Sequence, residues 1–315
     1  MYANPTQQED TSFVELRCPH CQQVLEPPEG IFDRQIVCPA CHRAVKLRRI
    51  DRMAEGTTPL NSGFTFADFL VAPCNRFAFE MASLVAREPG CKYNPLVIHG
   101  GDGSGRTHLM QAIGHHVLAT SPEAVRCVTT DSFTRDYIEA LQRRGLAEFR
   151  RSYRAVEVLL VDDVHYACGK ERVSEELDAL VRARIASGGQ VVVTSDRSPV
   201  RMNRVSPPLA ACFERGLDVE IGSPDRETCI RILEHKLKRM SVSLPSDIVQ
   251  FIAEHAERNV RRLVSALVRT LAYASLEGKA PDLPDVKNLL QDYVDVQAEE
   301  AAHTEDRQRM ATVAA

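Results

Sequence analysis

The residues best suited to chemistry lie in the stretch LVIHGGDGSGRTHL, residues 96 to 109. Its spacing fits the phosphate-binding pattern Gly-x-x-x-x-Gly-Lys-Ser/Thr, except that Arg106 stands where the lysine belongs. Glycines let backbone N–H groups turn toward phosphate oxygens, and the start of a following helix adds its dipole. We therefore predict that this loop and Arg106 contact nucleotide phosphates and that the Thr107 hydroxyl binds Mg²⁺. The predicted loop glycines are Gly100, Gly101, Gly103 and Gly105.

Polar residues follow two further apolar segments. VEVLLVDDVH leads into Asp162 and Asp163, and QVVVTSDR leads into Ser195 and Asp196. In a nucleotide site of this kind, Asp162 would hold Mg²⁺ through water and Asp163 would polarise the attacking water. Ser195 and Asp196 would sense the γ-phosphate from a neighbouring strand. At each position the alternative is a polar residue that only caps a buried strand, but the three strand ends together indicate a nucleotide site.

Four of the ten cysteines form two close pairs near the N-terminus, and the other six are scattered singly, as thiols in a reducing compartment are. The paired residues are Cys18 and Cys21 in CPHC, and Cys38 and Cys41 in CPAC. Four thiolates at this spacing suit one structural, tetrahedral Zn²⁺, and a redox pair or chance spacing is the alternative. Since so short a segment cannot hold a core alone, the predicted zinc ribbon depends on metal for its stability.

The elements that position these residues follow from the hydrophobic pattern. Apolar runs alternate with amphipathic segments, which predicts an α/β fold with a parallel sheet covered by helices. Beyond residue 222, four amphipathic segments with helix-start signals predict a helical lid. Arg261, early in the third of them, is predicted to reach back to the phosphates, and an exposed helix arginine is the alternative. The predicted strands are Leu96–His99, Val125–Thr129, Val156–Asp162, Gln190–Ser195 and Leu217–Ile221.

The composition bounds the classes of protein that remain. A formal net charge of -4 over 315 residues gives no overall attraction to nucleic acid or to a membrane. No apolar run approaches the ~20 residues of a membrane span, and the start MYANPTQQED lacks a signal layout, so we expect a cytoplasmic protein with no membrane contact. The predicted divisions are a disordered N-terminus (1–12), the zinc ribbon (13–50), a linker (51–63), the α/β nucleotide-binding domain (64–222), the lid (223–293) and a flexible tail (294–315).

From LNSGFTFADFLVAPCNRFA to about Tyr293 the chain resembles the AAA+ domain of the bacterial replication initiator DnaA. The similar motifs are the phosphate-loop segment YNPLVIHGGDGSGRTHLMQAIGH, the stretch DSFTRDYIEALQRRGLAEFRRSYRAVEVLLVDDVHY, the sensor 1 motif TSDRSP and the sensor 2 motif NVRRLVSAL. The resemblance implies a AAA+ P-loop NTPase core that takes ATP or ADP with Mg²⁺. It also implies that Phe69 to Val71 and Asn75 lie near the adenine, and it supports Arg261 as a phosphate contact.

A further likeness concerns nucleic acid. GKERVSEE is similar to the initiator stretch whose basic residues line a channel for single-stranded DNA, which implies weak, salt-sensitive contact through Lys170, Arg172 and the region 143–154. An ordinary charged helix start explains Lys170 and Arg172 equally well.

Three departures from the family pattern bear on activity. Arg106 replaces the loop lysine, and a planar guanidinium is not equivalent to a compact ammonium. Cys212, in LAACFERGL, stands where the family has its arginine finger, and Arg215 lies three residues away. After Tyr293 no counterpart of the initiator's helix-turn-helix domain is expected, whereas the zinc ribbon is an addition. We therefore expect ATP hydrolysis to be weak or absent.

Three functions remain open at this point. The leading hypothesis is a DnaA-like protein that binds ATP or ADP and acts in or regulates replication initiation, with the initiator or a helicase loader complex as partner. The second is an active AAA+ ATPase, a helicase loader or transposition-type remodeller, in which Arg215 serves as the finger. The third is a non-enzymatic scaffold that acts through the zinc ribbon. Homo- and hetero-oligomers are both compatible with the sequence.

Overall fold

The computed structural model describes residues 57–121, 124–202, 207–256 and 258–293, together with the backbone of four short strands nearer the N-terminus. The chain divides into two compact units, Met1–Glu55 and Gly56–Ala315. Among the described residues, no helix has both the length and the apolar composition that crossing a membrane requires.

The first unit contains two antiparallel strand pairs. Strand β1 (Leu16–Arg17) pairs with β2 (Val24–Leu25), and β3 (Gln35–Val37) pairs with β4 (Ala44–Lys46). One cysteine pair falls in the chain between the strands of each pair. The four predicted zinc ligands, Cys18, Cys21, Cys38 and Cys41, lie outside the described residues, as do the predicted disordered start (1–12) and flexible tail (294–315).

The second unit is built on a five-stranded parallel sheet, which confirms the predicted architecture. Its strands are β5 (Leu96–Gly100), β6 (Val125–Thr129), β7 (Val158–Asp162), β8 (Gln190–Ser195) and β9 (Leu217–Ile221), in the order β6-β7-β8-β5-β9. Strand β7 begins two residues later than predicted because its neighbour β6 begins at Val125, which lies opposite Val158. Parallel strands place their carboxyl ends at one edge, so the predicted site residues converge there.

Helices cover both faces of the sheet. The helices α1 (Arg76–Arg87) and α2 (Arg106–Leu118) pack on one face against Leu96 and Ile98 of β5. The other face, which includes Val97, is covered by α3 (Thr130–Gln142), α4 (Leu146–Arg154), α5 (Glu171–Ala186) and α6 (Pro207–Glu214). Successive residues of β5 therefore enter different core clusters, as expected of a strand buried on both sides.

A helical bundle follows the sheet, as the sequence predicted. It comprises α7 (Arg226–Met240), α8 (Ser246–His255), α9 (Val260–Glu277) and α10 (Leu283–Leu289). These helices bury a core of their own around Leu233, Ile252 and Leu263. The N-termini of α7 and α9 are capped by Asp225 and Asn259, whose side chains accept backbone N–H groups of the first turn.

The described part of the predicted linker, residues 57–63, belongs to the second unit and packs against β6 and α2. The Thr58 N–H donates to the Cys127 carbonyl at 2.7 Å, and the Asn61 N–H donates to Gln111 Oε1 at 2.8 Å. Leu60 packs against the core cluster beneath α1 and α2. The packed structure thus begins ahead of the predicted boundary at residue 64, because contacts with α2 hold a segment whose polar, turn-forming composition indicated a linker.

Candidate functional site

The glycine-rich loop joins β5 to α2 and requires glycine at two positions. Gly103 and Gly105 have φ values of 68° and 105°, in the left-handed region that side chains disfavour. A Cβ atom on Gly103 would lie 1.9 Å from Asn259 Oδ1. Helix α2 begins immediately after the loop, and the Gly105 N-cap provides no side-chain hydrogen bond to its first N–H groups. An uncapped helix start that follows such a loop is suited to binding anions.

Thr107 and Asp162 meet at this helix start. The Thr107 hydroxyl donates to Asp162 Oδ2 at 2.9 Å, which joins the first turn of α2 to the end of β7. Thr194 of β8, which is fully buried, donates its hydroxyl to Asp162 Oδ1. Asp162 is 7% exposed, so these two hydroxyls supply hydrogen bonds that its carboxylate cannot obtain from water. The predicted pair for Mg²⁺ is thus assembled.

Asp163 lies beside this pair with an unusual backbone. Its φ is 56°, and its N–H donates to the Thr194 hydroxyl at 2.8 Å. Burial, reinforced by the neighbouring Asp162 carboxylate, raises the pKa of Asp163 above its ordinary value of 3.8. A carboxyl group with a raised pKa at a strand end is chemically suited to accept a proton from a bound water.

The Arg106 side chain faces protein oxygens. Its Nη1 donates to the Gly100 carbonyl and, at 2.8 Å, to the Ser195 carbonyl at the end of β8. Its Nη2 lies 3.4 Å from both Asp102 Oδ1 and Asp163 Oδ1. The side chain is only 8% exposed. The guanidinium thus bridges the loop and two strand ends, which the sequence did not indicate.

The predicted γ-phosphate sensors form a second polar group at the same edge. Asp196 is paired with Arg197, whose Nε lies 3.0 Å from each carboxylate oxygen, and this hydrogen bonding lowers the pKa of Asp196. His165 Nδ1 accepts the Asp196 N–H at 3.3 Å and lies 3.9 Å from Asp163 Oδ1. The His165 imidazole therefore lies between Asp196 and Asp163, while the Ser195 carbonyl accepts from Arg106.

The lid contacts the loop through the start of α9. The Val260 N–H donates to the Gly103 carbonyl at 3.0 Å, and Asn259 fills the space beside Gly103. Arg261, in the first turn of α9, is exposed, and its backbone N–H is bound by the Asn259 side chain at 2.9 Å. The structure therefore places Arg261 next to the loop.

The segment implied to lie near the adenine joins the sheet domain to the lid. Phe69 is 9% exposed and its ring stacks on Phe79, whereas the next residue, Leu70, packs against the lid core. Asn75 donates its amide to the Leu70 carbonyl at 3.0 Å and accepts the Ala72 N–H at 2.8 Å. Asn75 thus folds this segment back on itself at the junction of sheet and lid.

The residues predicted for single-stranded DNA and for a finger lie elsewhere on the second unit. Lys170 precedes α5, and its Nζ lies 3.5 Å from Asp131 Oδ1 at the start of α3; Arg172 is exposed. Cys212 and Arg215 line a cleft of about 400 Å³ together with Arg182 of α5. Burial raises the pKa of the Cys212 thiol. Neither pair lies among the residues that contact Arg106, Thr107 or Asp162.

Sequence reasoning missed two residues of the site, Thr194 and His165. Thr194 lies in the sensor 1 stretch TSDRSP, but its residue type alone does not show that it donates to the Asp162 carboxylate and accepts the Asp163 N–H. His165 follows Asp163 by two residues, and only the convergence of β7 and β8 brings it to Asp196. A polar residue within an otherwise apolar buried strand, as Thr194 is, was the available signal.

The parallel sheet with the order β6-β7-β8-β5-β9, its glycine-rich loop after β5 and the separate helical bundle define a AAA+ P-loop fold. The same fold is found in the Holliday junction branch migration motor RuvB of Thermotoga maritima, at a TM-score of 0.52 over 72% of this chain and 73% of that one. With 14% identity, that likeness concerns the fold alone.

A family model of the bacterial DnaA ATPase domain matches residues 60–220. The chain is 39% identical over 281 residues to the chromosomal replication initiator protein DnaA of Synechococcus, covering 86% of this chain and 59% of that protein. It is 41% identical over 241 residues to DnaA of Methylacidiphilum infernorum, covering 76% and 53%. The chain belongs to the bacterial DnaA ATPase-domain family, and it spans about half the length of the curated relatives it matches.

Solved structures agree with this assignment. Domain III of the Thermotoga maritima replication initiation protein DnaA has 39% identity and a TM-score of 0.72, over 75% of this chain and 99% of that one. A replication initiator DnaA bound to AMPPCP and single-stranded DNA has 31% identity and a TM-score of 0.64, over 70% and 67%.

Proposed function

We propose that this chain binds an adenine nucleotide, ATP or ADP, with Mg²⁺ at the loop 100–107, and that it acts in or regulates the initiation of DNA replication. The observation that carries the proposal is the contact between the Thr107 hydroxyl and the Asp162 carboxylate at the uncapped start of α2. Membership of the DnaA family and the likeness to an AMPPCP-bound DnaA support the choice of ligand.

The donor set at this point fits Mg²⁺. A hydroxyl and a carboxylate are the hard oxygen ligands that the ion prefers, and it commonly keeps several waters beside one or two protein ligands and the phosphates. When bound, the ion would neutralise phosphate charge beside Asp162. Thr107 and Thr194 hold that carboxylate in place through hydrogen bonds.

We propose further that hydrolysis of ATP is weak or absent. The Arg106 guanidinium is bound to the carbonyls of Gly100 and Ser195, and the position of the family's arginine finger is occupied by Cys212. A finger of this type contributes roughly 10³–10⁵ in rate, so a chain without one is expected to turn over slowly.

Calorimetric titration of the full chain with ATP and ADP, with and without Mg²⁺, tests the binding proposal, and steady-state turnover tests the second. We expect Mg²⁺-dependent binding with poor turnover. Binding should fall in Asp162→Asn and remain in Arg76→Lys, a change at an exposed residue of α1. Fast ATP turnover that Arg215→Ala abolishes would favour the alternative of an active AAA+ ATPase that acts as a helicase loader or remodeller. If no nucleotide binds at millimolar concentration, the non-enzymatic scaffold is the hypothesis that remains.

We also propose that the first unit holds one Zn²⁺ through Cys18, Cys21, Cys38 and Cys41. The support is the donor set of two Cys-x-x-Cys pairs, each between the strands of an antiparallel pair. Metal analysis of the purified chain should give one zinc per chain, and Cys18→Ser with Cys38→Ser should remove it. Metal-free protein from a zinc-supplemented preparation would refute this assignment.

For nucleic acid, we propose weak contact with single-stranded DNA through Lys170 and Arg172. The likeness to a DnaA bound to single-stranded DNA supports the ligand class, and the exposure of Arg172 supports the position. Affinity for an oligonucleotide should fall with salt and in Lys170→Ala with Arg172→Ala. Affinity that neither salt nor the double substitution changes would contradict the assignment.

A further inference from the structure

The Arg106 side chain is buried in the site and faces protein oxygens. Nη1 donates to the Gly100 and Ser195 carbonyls, and Nη2 lies 3.4 Å from Asp163 Oδ1. We infer that Arg106 is a specificity-determining residue: its guanidinium holds the place of the terminal phosphoryl group, so the site prefers a nucleoside diphosphate to a triphosphate. This inference rests on the proposed nucleotide binding and states which nucleotide class the site selects.

The guanidinium lies where the terminal phosphoryl group of a triphosphate would bind. The basic residue at this place in a phosphate loop reaches the β- and γ-phosphates. The carboxylate in the position of Asp163 acts on the water that attacks the γ-phosphoryl group, so that group belongs between the loop and the ends of β7 and β8. Here the guanidinium spans this gap, at 2.8 Å from the Ser195 carbonyl and 3.4 Å from Asp163 Oδ1. Because the guanidinium lies at hydrogen-bond distance from both the Ser195 carbonyl and Asp163, no phosphoryl group fits between the guanidinium and either of them.

Displacing the Arg106 guanidinium would break charged hydrogen bonds within the protein. A triphosphate would have to draw the guanidinium away from two carbonyls, one of them on buried Ser195, and leave these acceptors without their charged donor. Charged hydrogen bonds of this kind are the stronger ones in proteins. The terminal phosphoryl group would also approach Asp163, whose negative charge Arg106 now faces.

A diphosphate avoids this displacement. The N–H groups at the start of α2 and the contact between Thr107 and Asp162 lie on the helix side of the loop, and no side chain caps that helix start. A diphosphate can therefore bind the backbone N–H groups of α2, with Mg²⁺ at Thr107 and Asp162, while Arg106 keeps its hydrogen bonds to the Gly100 and Ser195 carbonyls.

Lysine at position 106 is expected to behave differently. A lysine side chain ends one atom short of the guanidinium nitrogens and carries a single nitrogen in place of the planar fork, so it cannot occupy the positions of both Nη1 and Nη2. Arg106→Lys should therefore open the terminal phosphate position while the charge is kept.

The test is calorimetric titration of the full chain with ADP and with AMPPCP, each with Mg²⁺. For the wild type we expect the Kd of AMPPCP to exceed that of ADP by roughly tenfold to a hundredfold, the equivalent of about one charged hydrogen bond. In Arg106→Lys the ratio should fall close to one, through tighter AMPPCP binding. Arg76→Lys, on exposed α1, should keep the wild-type ratio.

The outcomes separate the inference from the proposal beneath it. Equal affinities in the wild type, or a ratio that Arg106→Lys does not lower, overturn the inference and leave nucleotide binding intact. No binding of either nucleotide by the wild type and by Arg106→Lys overturns both. The wild-type ratio requires no variant, so the inference stands or falls even where Arg106→Lys does not fold.

Discussion

Replacing Thr194 by valine should destabilise the protein strongly although valine nearly matches its shape. Thr194 is fully buried, donates to Asp162 Oδ1 and accepts the Asp163 N–H at 2.8 Å. Valine removes both bonds and leaves the Asp162 carboxylate, 7% exposed, with one donor fewer. A hydrogen bond to a charged group contributes about 1.5–3 kcal/mol and an orphaned polar group costs about 1–3 kcal/mol, so we expect a loss of about 3 kcal/mol.

Urea unfolding and thermal melting of the full chain measure this loss. A change of about 3 kcal/mol corresponds to roughly 6 to 12 °C in Tm for a domain of this size. Thr194→Ser keeps the hydroxyl and removes one methyl group, so its cost should be about 1 kcal/mol. This conservative variant separates the hydrogen bonds from the packing.

A double-substitution cycle locates the effect. In an Asp162→Asn background the charged acceptor is absent, so Thr194→Val should cost at least about 1 kcal/mol less than in the wild type. If the stability of Thr194→Val lies within about 0.5 kcal/mol of the wild type, or if Asp162→Asn leaves the cost of Thr194→Val unchanged, Thr194 does not stabilise the Asp162 carboxylate.

Three further predictions concern stability. Since the folded-state pKa of Asp163 is raised, its stabilising contribution is full below the ordinary pKa of 3.8 and is lost as the pH rises through the folded value. Asp163→Asn should therefore raise Tm at neutral pH, by an amount that shrinks as the pH falls toward 4; a pH-independent gain would contradict this. Arg150→Ala should lower the free energy of unfolding by about 2 kcal/mol, because the Glu176 carboxylate, which is 5% exposed, loses its hydrogen bonds of 2.7 and 2.8 Å. In urea unfolding, Arg150→Lys should restore only part of this loss. Full recovery by lysine would show that the forked geometry is unimportant. Leu60→Ala should lower the free energy of unfolding by about 1–2 kcal/mol because Leu60 packs on the core. Leu276→Ala, at an 86% exposed site, should leave stability unchanged. Equal effects of the two substitutions would mean that residues 57–63 do not pack on the core.

The sequence predicted the sheet and the lid well because both follow from local pattern. The alternation of apolar runs with amphipathic segments predicted the positions of β5 to β9, and helix-start residues such as Asp225 and Asn259 cap α7 and α9 as observed. The loop was equally predictable from the sequence, since the left-handed backbone at Gly103 and Gly105 disfavours residues that carry a Cβ atom. The assignment to the DnaA ATPase domain is confirmed on the same motifs.

Other features were beyond sequence reasoning because they depend on partners far away in the chain. Thr194 reaches Asp162 across 32 residues, and His165 meets Asp196 across 31. Residues 57–63 looked like a linker because their composition is polar, yet Asn61 bonds Gln111 across 50 residues. No local pattern encodes such contacts.

The amino-acid sequence by itself determined that a glycine loop precedes a helix and that carboxylates end the neighbouring strands, because backbone conformation and hydrophobic alternation limit residue types locally. Only the tertiary structure decided where Arg106 points. Its long side chain has several acceptors within reach, and the choice of the Ser195 carbonyl, 89 residues away, arises because parallel strands bring distant carboxyl ends to one edge.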